Sequence, residues 1–173
     1  MQTAEGRRAH RFELLTQVRR GTPMGSLMRQ FWHPIALSSE LEAGKAIKRL
    51  ILGEELTLYR GESGTPYLIA GRCAHRCTLL HTGWVQDEQI RCMYHGWRYD
   101  GTGLCTEIPA EKQPRSPPVR IPAYDLKEYF GLIFAYLGEG PAPEFALPRK
   151  LELESSDMQT LVTAKAWDCH WLQ

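Results

Sequence analysis

The sequence predicts an all-β protein with a short helical segment at its N-terminus. After about residue 32 the chain consists of short runs of β-branched, aromatic and aliphatic residues, which glycine and proline separate. Before that point, Gly21 can end one helix and the pair Thr22-Pro23 is typical of the start of another. With 173 residues, of which 43% are hydrophobic, the chain is long enough to bury one core.

In chain order, residues 1–10 are polar and are expected to fray, and a short helix is expected over 11–20. Strands are predicted at 33–37, 46–52, 55–60, 66–70, 89–92, 131–137 and 158–167. A hairpin turn is predicted at 60–65, and the proline-rich stretch 111–122 is predicted to be a connection.

Charge and hydropathy exclude several classes of partner. The net charge is +1 and no run of like charges occurs, which argues against nucleic acid or an anionic membrane surface. The longest apolar stretches, such as 131–138, are too short to span a bilayer. The N-terminus has arginines but no apolar core of a secretion signal, so we expect a cytoplasmic protein. Five cysteines in a reducing compartment then indicate metal ligands or free thiols.

The candidate site consists of two short arms. Cys73-x-His75 and Cys92-x-x-His95 are separated by sixteen residues, and each arm offers one thiol and one imidazole. This spacing fits a tight loop better than a helix face, so both arms are expected to be hairpin loops that project from one small sheet. Two such loops facing each other present a cysteine pair and a histidine pair, which suits a [2Fe-2S] cluster with Cys₂ on one iron and His₂ on the other.

Two alternatives remain open from the residues alone. Cys₂His₂ is also a structural zinc set, although zinc sites usually take both cysteines from one arm and both histidines from the other. The four side chains could also be core thiols and surface histidines that bind no metal. A zinc protein would be colourless, so colour and metal content separate these readings.

The stretch from Cys73 to Cys105 resembles the Rieske domain of ring-hydroxylating, Rieske-type non-haem iron oxygenases. Both arms match the family's spacing, as does the segment from Tyr94 to Trp97, and residues 21–41 resemble the phthalate dioxygenase and O-demethylase branch. The resemblance implies a Rieske [2Fe-2S] fold of antiparallel sheets with two cluster-binding loops. It also implies Cys73, His75, Cys92 and His95 as the ligands.

The sequence departs from the family pattern Cys-Pro-His-Arg-Gly at Ala74 and Cys77. Respiratory Rieske proteins join their two loops by a disulfide, but no cysteine lies between Cys92 and His95 to pair with Cys77. We therefore expect no such disulfide, although Cys105 could approach Cys77 in space.

The neighbours of the ligands are expected to tune the cluster through backbone N–H groups that donate to sulfur. These neighbours are Arg76, Cys77, Gly96 and Trp97. Arg76 is either a solvated charge or a docking residue, and Trp97 either packs under its loop or assists electron transfer. The two ligand histidines are expected to face outward, and His33 and His81 are not expected to bind metal.

The second iron site of the family, Asp-x-x-His-x₄-His, has no match in the sequence, so no catalytic residue for O₂ activation is predicted here. Residues 166–173 resemble the entry into the family's catalytic domain. We therefore predict a helical segment at 1–32, a Rieske domain at 33–150 with cluster loops at 73–77 and 92–97, and the start of a truncated catalytic domain at 151–173.

The resemblance implies an oxygenase that receives electrons from NAD(P)H through a reductase or ferredoxin. Mononuclear Fe(II) and a homotrimeric assembly are expected only in a full-length protein of this family. A standalone Rieske ferredoxin-like electron carrier is the alternative.

Overall fold

The computed structural model describes residues 12–113, 115–147, 155 and 161–169. Over these residues, two short helices precede ten strands, whose pairings are all antiparallel. Helix α1 comprises residues 12–16 and helix α2 comprises Pro23–Met28. The strands are β1 (Trp32–Leu37), β2 (Ala46–Ile51), β3 (Glu54–Arg60), β4 (Pro66–Ala70), β5 (Trp84–Gln86), β6 (Gln89–Arg91), β7 (Arg98–Tyr99), β8 (Cys105–Glu107), β9 (Ala123–Tyr129) and β10 (Leu132–Tyr136). This arrangement confirms the predicted fold class.

Helix α2 begins as predicted, because the Thr22 hydroxyl accepts a hydrogen bond from the Gly25 amide (3.1 Å) and Pro23 occupies the first turn. The first helix is shorter than predicted: within the described residues it ends at residue 16, and residue 11 lies outside them. The reason is competition for carbonyl groups. The Thr22 hydroxyl donates to the Gln17 carbonyl (2.6 Å), and Arg29 donates to the Val18 carbonyl (2.8 Å). These two carbonyls therefore accept from side chains and not from the backbone amides of a continuing helix.

The strands form two sheets. A six-stranded sheet has the order β1-β10-β9-β4-β3-β2, and a four-stranded sheet has the order β5-β6-β7-β8. The larger sheet curls until its two edges meet: Arg49 on β2 donates through Nε to the Ile35 carbonyl on β1 (3.0 Å) and pairs with Glu40 (2.5 Å). Ile35 lies at a register shift of β1, which frees its carbonyl for this bond.

Glu88, in the turn between β5 and β6, joins the small sheet to the large one. Its carboxylate accepts hydrogen bonds from the Tyr67 hydroxyl (3.0 Å) and the Ser63 amide (2.8 Å), and its carbonyl accepts from the Tyr59 hydroxyl (3.2 Å). Because these donors belong to β3, β4 and their connecting turn, Glu88 fixes the small sheet against the large one.

Six of the seven predicted strands are confirmed, as β1, β2, β3, β4, β6 and β10, and the turn at 60–65 joins β3 to β4. The seventh prediction is wrong for residues 161–167, which are not in a strand, while 158–160 lie outside the described residues. Leu161 is 88% exposed there, and β propensity without a paired neighbour does not make a strand. Strands β5, β7, β8 and β9 were not predicted.

The buried residues form two clusters. One fills the larger sheet and includes Leu58, Leu68 and Ile133. The other lies between the sheets and contains Cys73 and Cys92 beside aromatic and aliphatic side chains. The candidate ligands therefore belong to the inter-sheet core. Within the part of the chain that the structure describes, no helix is long and apolar enough to cross a membrane.

Candidate metal centre

The two arms lie on two loops that leave different sheets. Loop 1 (residues 72–78) follows β4 of the six-stranded sheet, and an isolated bridge between Arg72 and Leu79 closes it. Loop 2 (residues 91–97) joins β6 to β7 of the four-stranded sheet. The prediction that both loops project from one small sheet was therefore wrong. The structural reason is that β4 pairs with β3 and β9, inside the larger sheet.

Both loops share one backbone pattern. In each, the cysteine N–H donates to the carbonyl five residues later, and the cysteine carbonyl accepts from the amide four residues later. These bonds are Cys73 N to Thr78 O (2.9 Å), Cys92 N to Trp97 O (2.8 Å), Cys77 N to Cys73 O (2.9 Å) and Gly96 N to Cys92 O (3.0 Å). The repeated pattern places the two candidate cysteines at equivalent positions at the base of their loops.

The residue four after each cysteine is in the left-handed conformation, with φ of 56° at Cys77 and 74° at Gly96. At position 96 glycine is favoured by this conformation and also by space, because a Cβ there would lie 3.0 Å from Cγ of Pro109. Loop 1 instead places a cysteine in a conformation that is strained for residues with a side chain.

Replacing Cys77 with glycine is expected to increase the free energy of unfolding by about 0.5–1 kcal/mol, because relief of the left-handed strain outweighs the added freedom of the unfolded chain. Denaturant unfolding of the wild type and C77G measures the difference. Cys77→Ala is the matched control and should show no such gain, because alanine keeps the Cβ. A loss of stability in C77G would contradict this account.

The two candidate cysteine ligands are buried side by side, each 2% exposed. Burial raises the pKa of the Cys73 thiol, and the adjacent Cys92 thiol raises it further, against the opposing effect of a hydrogen bond to Tyr99. Two thiolates at this place would repel each other in a poorly solvated environment. A bound cation is the partner that would let both lose their protons.

The two candidate histidine ligands lie at the surface above the thiols. Both are exposed, as predicted, and their ring centroids are 4.6 Å apart in an edge-to-face arrangement. Loss of solvation lowers the pKa of His75, and the nearby His95, Arg76 and Arg115 lower it further. A lowered pKa favours the neutral imidazole, which is the form that binds metals.

The donor set is thus divided into a buried thiol pair and an exposed imidazole pair. A Rieske-type cluster takes two cysteines at one iron and two histidines at the other. The residues present therefore fit such a cluster, with the thiols at its buried end and the imidazoles at its exposed end.

Trp97 packs directly against a candidate ligand. Its ring is 7% exposed and stacks on His75, with centroids 4.9 Å apart and planes 4° apart. The Arg115 guanidinium also lies over the Trp97 ring, 5.8 Å from its centroid, and pairs with Glu111 (2.6 Å). An open groove of about 440 Å³ lies between the two histidines on one side and residues 108–111 and Arg115 on the other.

Tyr99 contacts one of the two buried thiols. Its hydroxyl lies 3.2 Å from Cys73 Sγ and accepts a hydrogen bond from the Ala74 amide (3.1 Å). Burial raises the pKa of Tyr99, so the phenol keeps its proton. The Tyr99 oxygen accepts from the Ala74 amide, and its own hydrogen takes no part in that bond. The hydroxyl hydrogen is therefore free to point at the Cys73 sulfur. Tyr99 lies on β7, directly after loop 2, and was not among the site residues predicted from the sequence.

The four predicted neighbours lie on the two loops, but their amides differ. The amides of Cys77 and Gly96 donate to the cysteine carbonyls described above, so these two are already engaged. Within the described residues, the Arg76 and Trp97 amides have no protein acceptor and can donate to sulfur. The Arg76 side chain is exposed.

The remaining cysteines and histidines have other surroundings. Cys77 is an exposed free thiol, and Cys105 is a half-buried free thiol that packs against the inter-sheet core. His33 is hydrogen-bonded through Nε2 to the Met28 carbonyl (2.7 Å), and Nδ1 of His81 is buried without a hydrogen-bond partner among the described residues.

Two arginines next to the cysteines were missed. Arg72 precedes Cys73 and Arg91 precedes Cys92, so each loop begins with the dipeptide Arg-Cys. Each guanidinium donates to the carbonyl of its loop's left-handed residue. The repeated dipeptide was the signal in the sequence that could have indicated them.

An antiparallel β domain with a buried cysteine pair and an exposed histidine pair on two facing loops is an iron–sulfur domain of the Rieske type. The chain belongs to the Rieske [2Fe-2S] domain family, whose sequence model matches residues 31–129. This match confirms the resemblance on which the sequence analysis relied.

Known relatives agree with the predicted branch. The chain is 37% identical over 170 residues to the 5,5'-dehydrodivanillate O-demethylase oxygenase subunit of Sphingobium sp., covering 95% of this chain and 40% of the relative. It is 30% identical over 165 residues to the phthalate 4,5-dioxygenase oxygenase subunit of Pseudomonas putida, covering 92% of this chain and 37% of the relative. The structure of dicamba monooxygenase superimposes with a TM-score of 0.65 at 29% identity, over 72% of this chain and 40% of that one. The chain thus spans about 40% of the length of these two relatives.

Proposed function

We propose that this chain is the N-terminal electron-transfer domain of a Rieske-type oxygenase. Cys73 and Cys92 would bind one iron of a [2Fe-2S] cluster, and His75 and His95 would bind the other. The observation that carries the proposal is the division of the site into two buried thiols and two exposed imidazoles on facing loops.

The protein's own residues supply three things to such a cluster. The buried cysteines hold one end in the inter-sheet core, where water is excluded. The exposed histidines leave the other end accessible to a redox partner. The uncharged imidazoles also make the cluster less negative than four thiolates would, which favours its reduction. When bound, the cluster supplies one-electron transfer.

In the full-length protein, we propose that electrons come from NAD(P)H through a reductase or a ferredoxin. They would serve O₂-dependent hydroxylation or demethylation of an aromatic-type substrate at a mononuclear Fe(II). The names of the relatives, an O-demethylase and a dioxygenase, support this proposal. A cytoplasmic location, a homotrimeric parent and the division at residues 32 and 150 belong to the same proposal. The 173-residue chain alone would have no oxygenase activity.

The deciding experiment is an analysis of iron and acid-labile sulfide in the purified chain, with an EPR spectrum after dithionite reduction. We expect two irons and two sulfides per chain and a Rieske-type signal. Zinc, or a folded chain without metal, would overturn the proposal. Sequencing the reading frame beyond Gln173 distinguishes the oxygenase from a standalone carrier: only an oxygenase continues into Asp-x-x-His-x₄-His.

Replacing Tyr99 with phenylalanine is expected to lower the reduction potential, because the ring stays while the hydrogen bond to the Cys73 sulfur is lost. The free energy of unfolding should fall by only about 1 kcal/mol, the typical value of one hydrogen bond. A redox titration of both proteins makes the comparison. Tyr67→Phe, which removes a hydroxyl that is hydrogen-bonded to Glu88 instead, is the control and should leave the potential unchanged. An unchanged potential in Y99F would argue against a hydrogen bond from Tyr99 to the ligand.

A further inference from the structure

Loops 1 and 2 each begin with an arginine whose guanidinium makes the same two interactions. Nη1 of Arg72 donates to the Cys77 carbonyl (3.0 Å), and Nη1 of Arg91 donates to the Gly96 carbonyl (2.9 Å). Each Nη2 pairs with a glutamate on a strand: Arg72 with Glu55 (2.8 Å) and Arg91 with Glu107 (2.6 Å). The same geometry thus occurs twice, once at each candidate cysteine.

The guanidinium suits this task because its donors lie in one rigid plane. One edge reaches a carboxylate on a strand while another N–H holds a loop carbonyl, so the loop end is tied to the sheet. Glu55 belongs to β3 of the large sheet and Glu107 to β8 of the small sheet. The hydrogen bond from Arg91 also holds the pKa of the Glu107 carboxyl below its ordinary value, so this partner stays charged.

Holding a carbonyl also sets the direction of the next amide. In a trans peptide the C=O and the following N–H point in opposite directions. The bonds from Arg72 and Arg91 therefore turn the Thr78 and Trp97 amides away from the arginines. Neither amide has a protein acceptor within the described part of the chain.

We infer that Arg72 and Arg91 are positioning residues, which orient the last peptide of each loop so that the Thr78 and Trp97 amides donate to sulfur. This inference rests on the proposed function, because the acceptor is the sulfur of the cluster. It assigns the two arginines a role in tuning and retaining the cluster, whereas neither is itself a ligand. Arg91 has the larger effect, because its side chain is 21% exposed and that of Arg72 is 54% exposed.

The test compares the purified wild type with Arg91→Lys and Arg72→Lys. Lysine keeps the charge and can reach one partner, but it lacks the planar fork that reaches both. In Arg91→Lys we expect cluster loss to a chelator to be roughly tenfold faster, the lower end of what outer-shell substitutions cost a metal site. We also expect a lower reduction potential and altered EPR g-values, and Arg72→Lys should show smaller changes in the same direction.

Arg49→Lys is the matched control. Arg49 also joins a carbonyl, that of Ile35, to a carboxylate, that of Glu40, but it does so at the edge of the large sheet. It should lower the unfolding temperature without changing the potential or the rate of cluster loss. Unchanged redox and retention properties in both loop variants, or the same changes in Arg49→Lys, would overturn the inference. A wild-type chain without iron and sulfide would instead overturn the proposed function, so the two failures are distinguishable.

Discussion

Replacing Cys92 with serine is expected to leave the chain without an iron–sulfur cluster. Serine has nearly the same shape as cysteine, but its hydroxyl does not ionise near neutral pH, and iron in such clusters is held by thiolates. Cys92 is 2% exposed and stands beside Cys73 in the inter-sheet core. Iron and sulfide analysis, with the visible and EPR spectra, measures the loss.

The same experiment needs controls for folding and for thiol chemistry. Cys77→Ser and Cys105→Ser replace the other free thiols of the domain and should keep full iron and sulfide content. His75→Asn changes an exposed side chain, so it should lose the cluster while far-UV circular dichroism stays native. Full iron and sulfide in Cys92→Ser would contradict the ligand assignment. Loss of metal in all four variants would indicate a general effect of substitution.

Replacing Arg29 with methionine is expected to lower the free energy of unfolding by about 3 kcal/mol, at the lower end of the cost of breaking a buried ion pair. Arg29 is 5% exposed, and its guanidinium pairs with Glu54 through Nη2 (2.6 Å) and Nε (3.1 Å). It also donates to the carbonyls of Val18, Gly25 and Leu52. The substitution therefore leaves a carboxylate and three carbonyls short of a donor. Arg20 and Tyr124 still contact Glu54, which keeps the cost at the lower end.

Denaturant unfolding measures this loss, and the variants around Glu54 test its cause. Arg20→Met removes a half-exposed arginine from the same carboxylate and should cost about 1 kcal/mol or less. In the double variant R29M/E54Q the cost should be less than the sum of the single costs, because the uncompensated charge is gone. A loss below 1 kcal/mol in Arg29→Met would mean that this arginine does not hold the N-terminal segment to β3. The iron content should be that of the wild type in every case.

The elements that could be predicted from the sequence are those whose signal is local. The six confirmed strands are short apolar runs between glycines and prolines, and α2 begins at its capping threonine, because turn residues and caps act on their immediate neighbours. The missed strand β9 has the sequence AYDLKEY, which is too charged to stand out as a strand. It lies between β4 and β10, where backbone pairing on both sides and the bond between Glu128 and Arg60 (2.7 Å) compensate for its polar residues.

The sequence by itself determined that two arms, each with one thiol and one imidazole, occur between predicted strands. Their spacing is that of the ligands of a Rieske cluster. That information is local, because the spacing within each arm fixes a loop. Only the tertiary structure decided that the loops leave different sheets, that both thiols are buried while both imidazoles are exposed, and that Arg72, Arg91 and Tyr99 contact the loops. Those contacts join side chains to carbonyls and sulfur in the folded chain, and no periodicity or composition encodes which atoms the packing brings together.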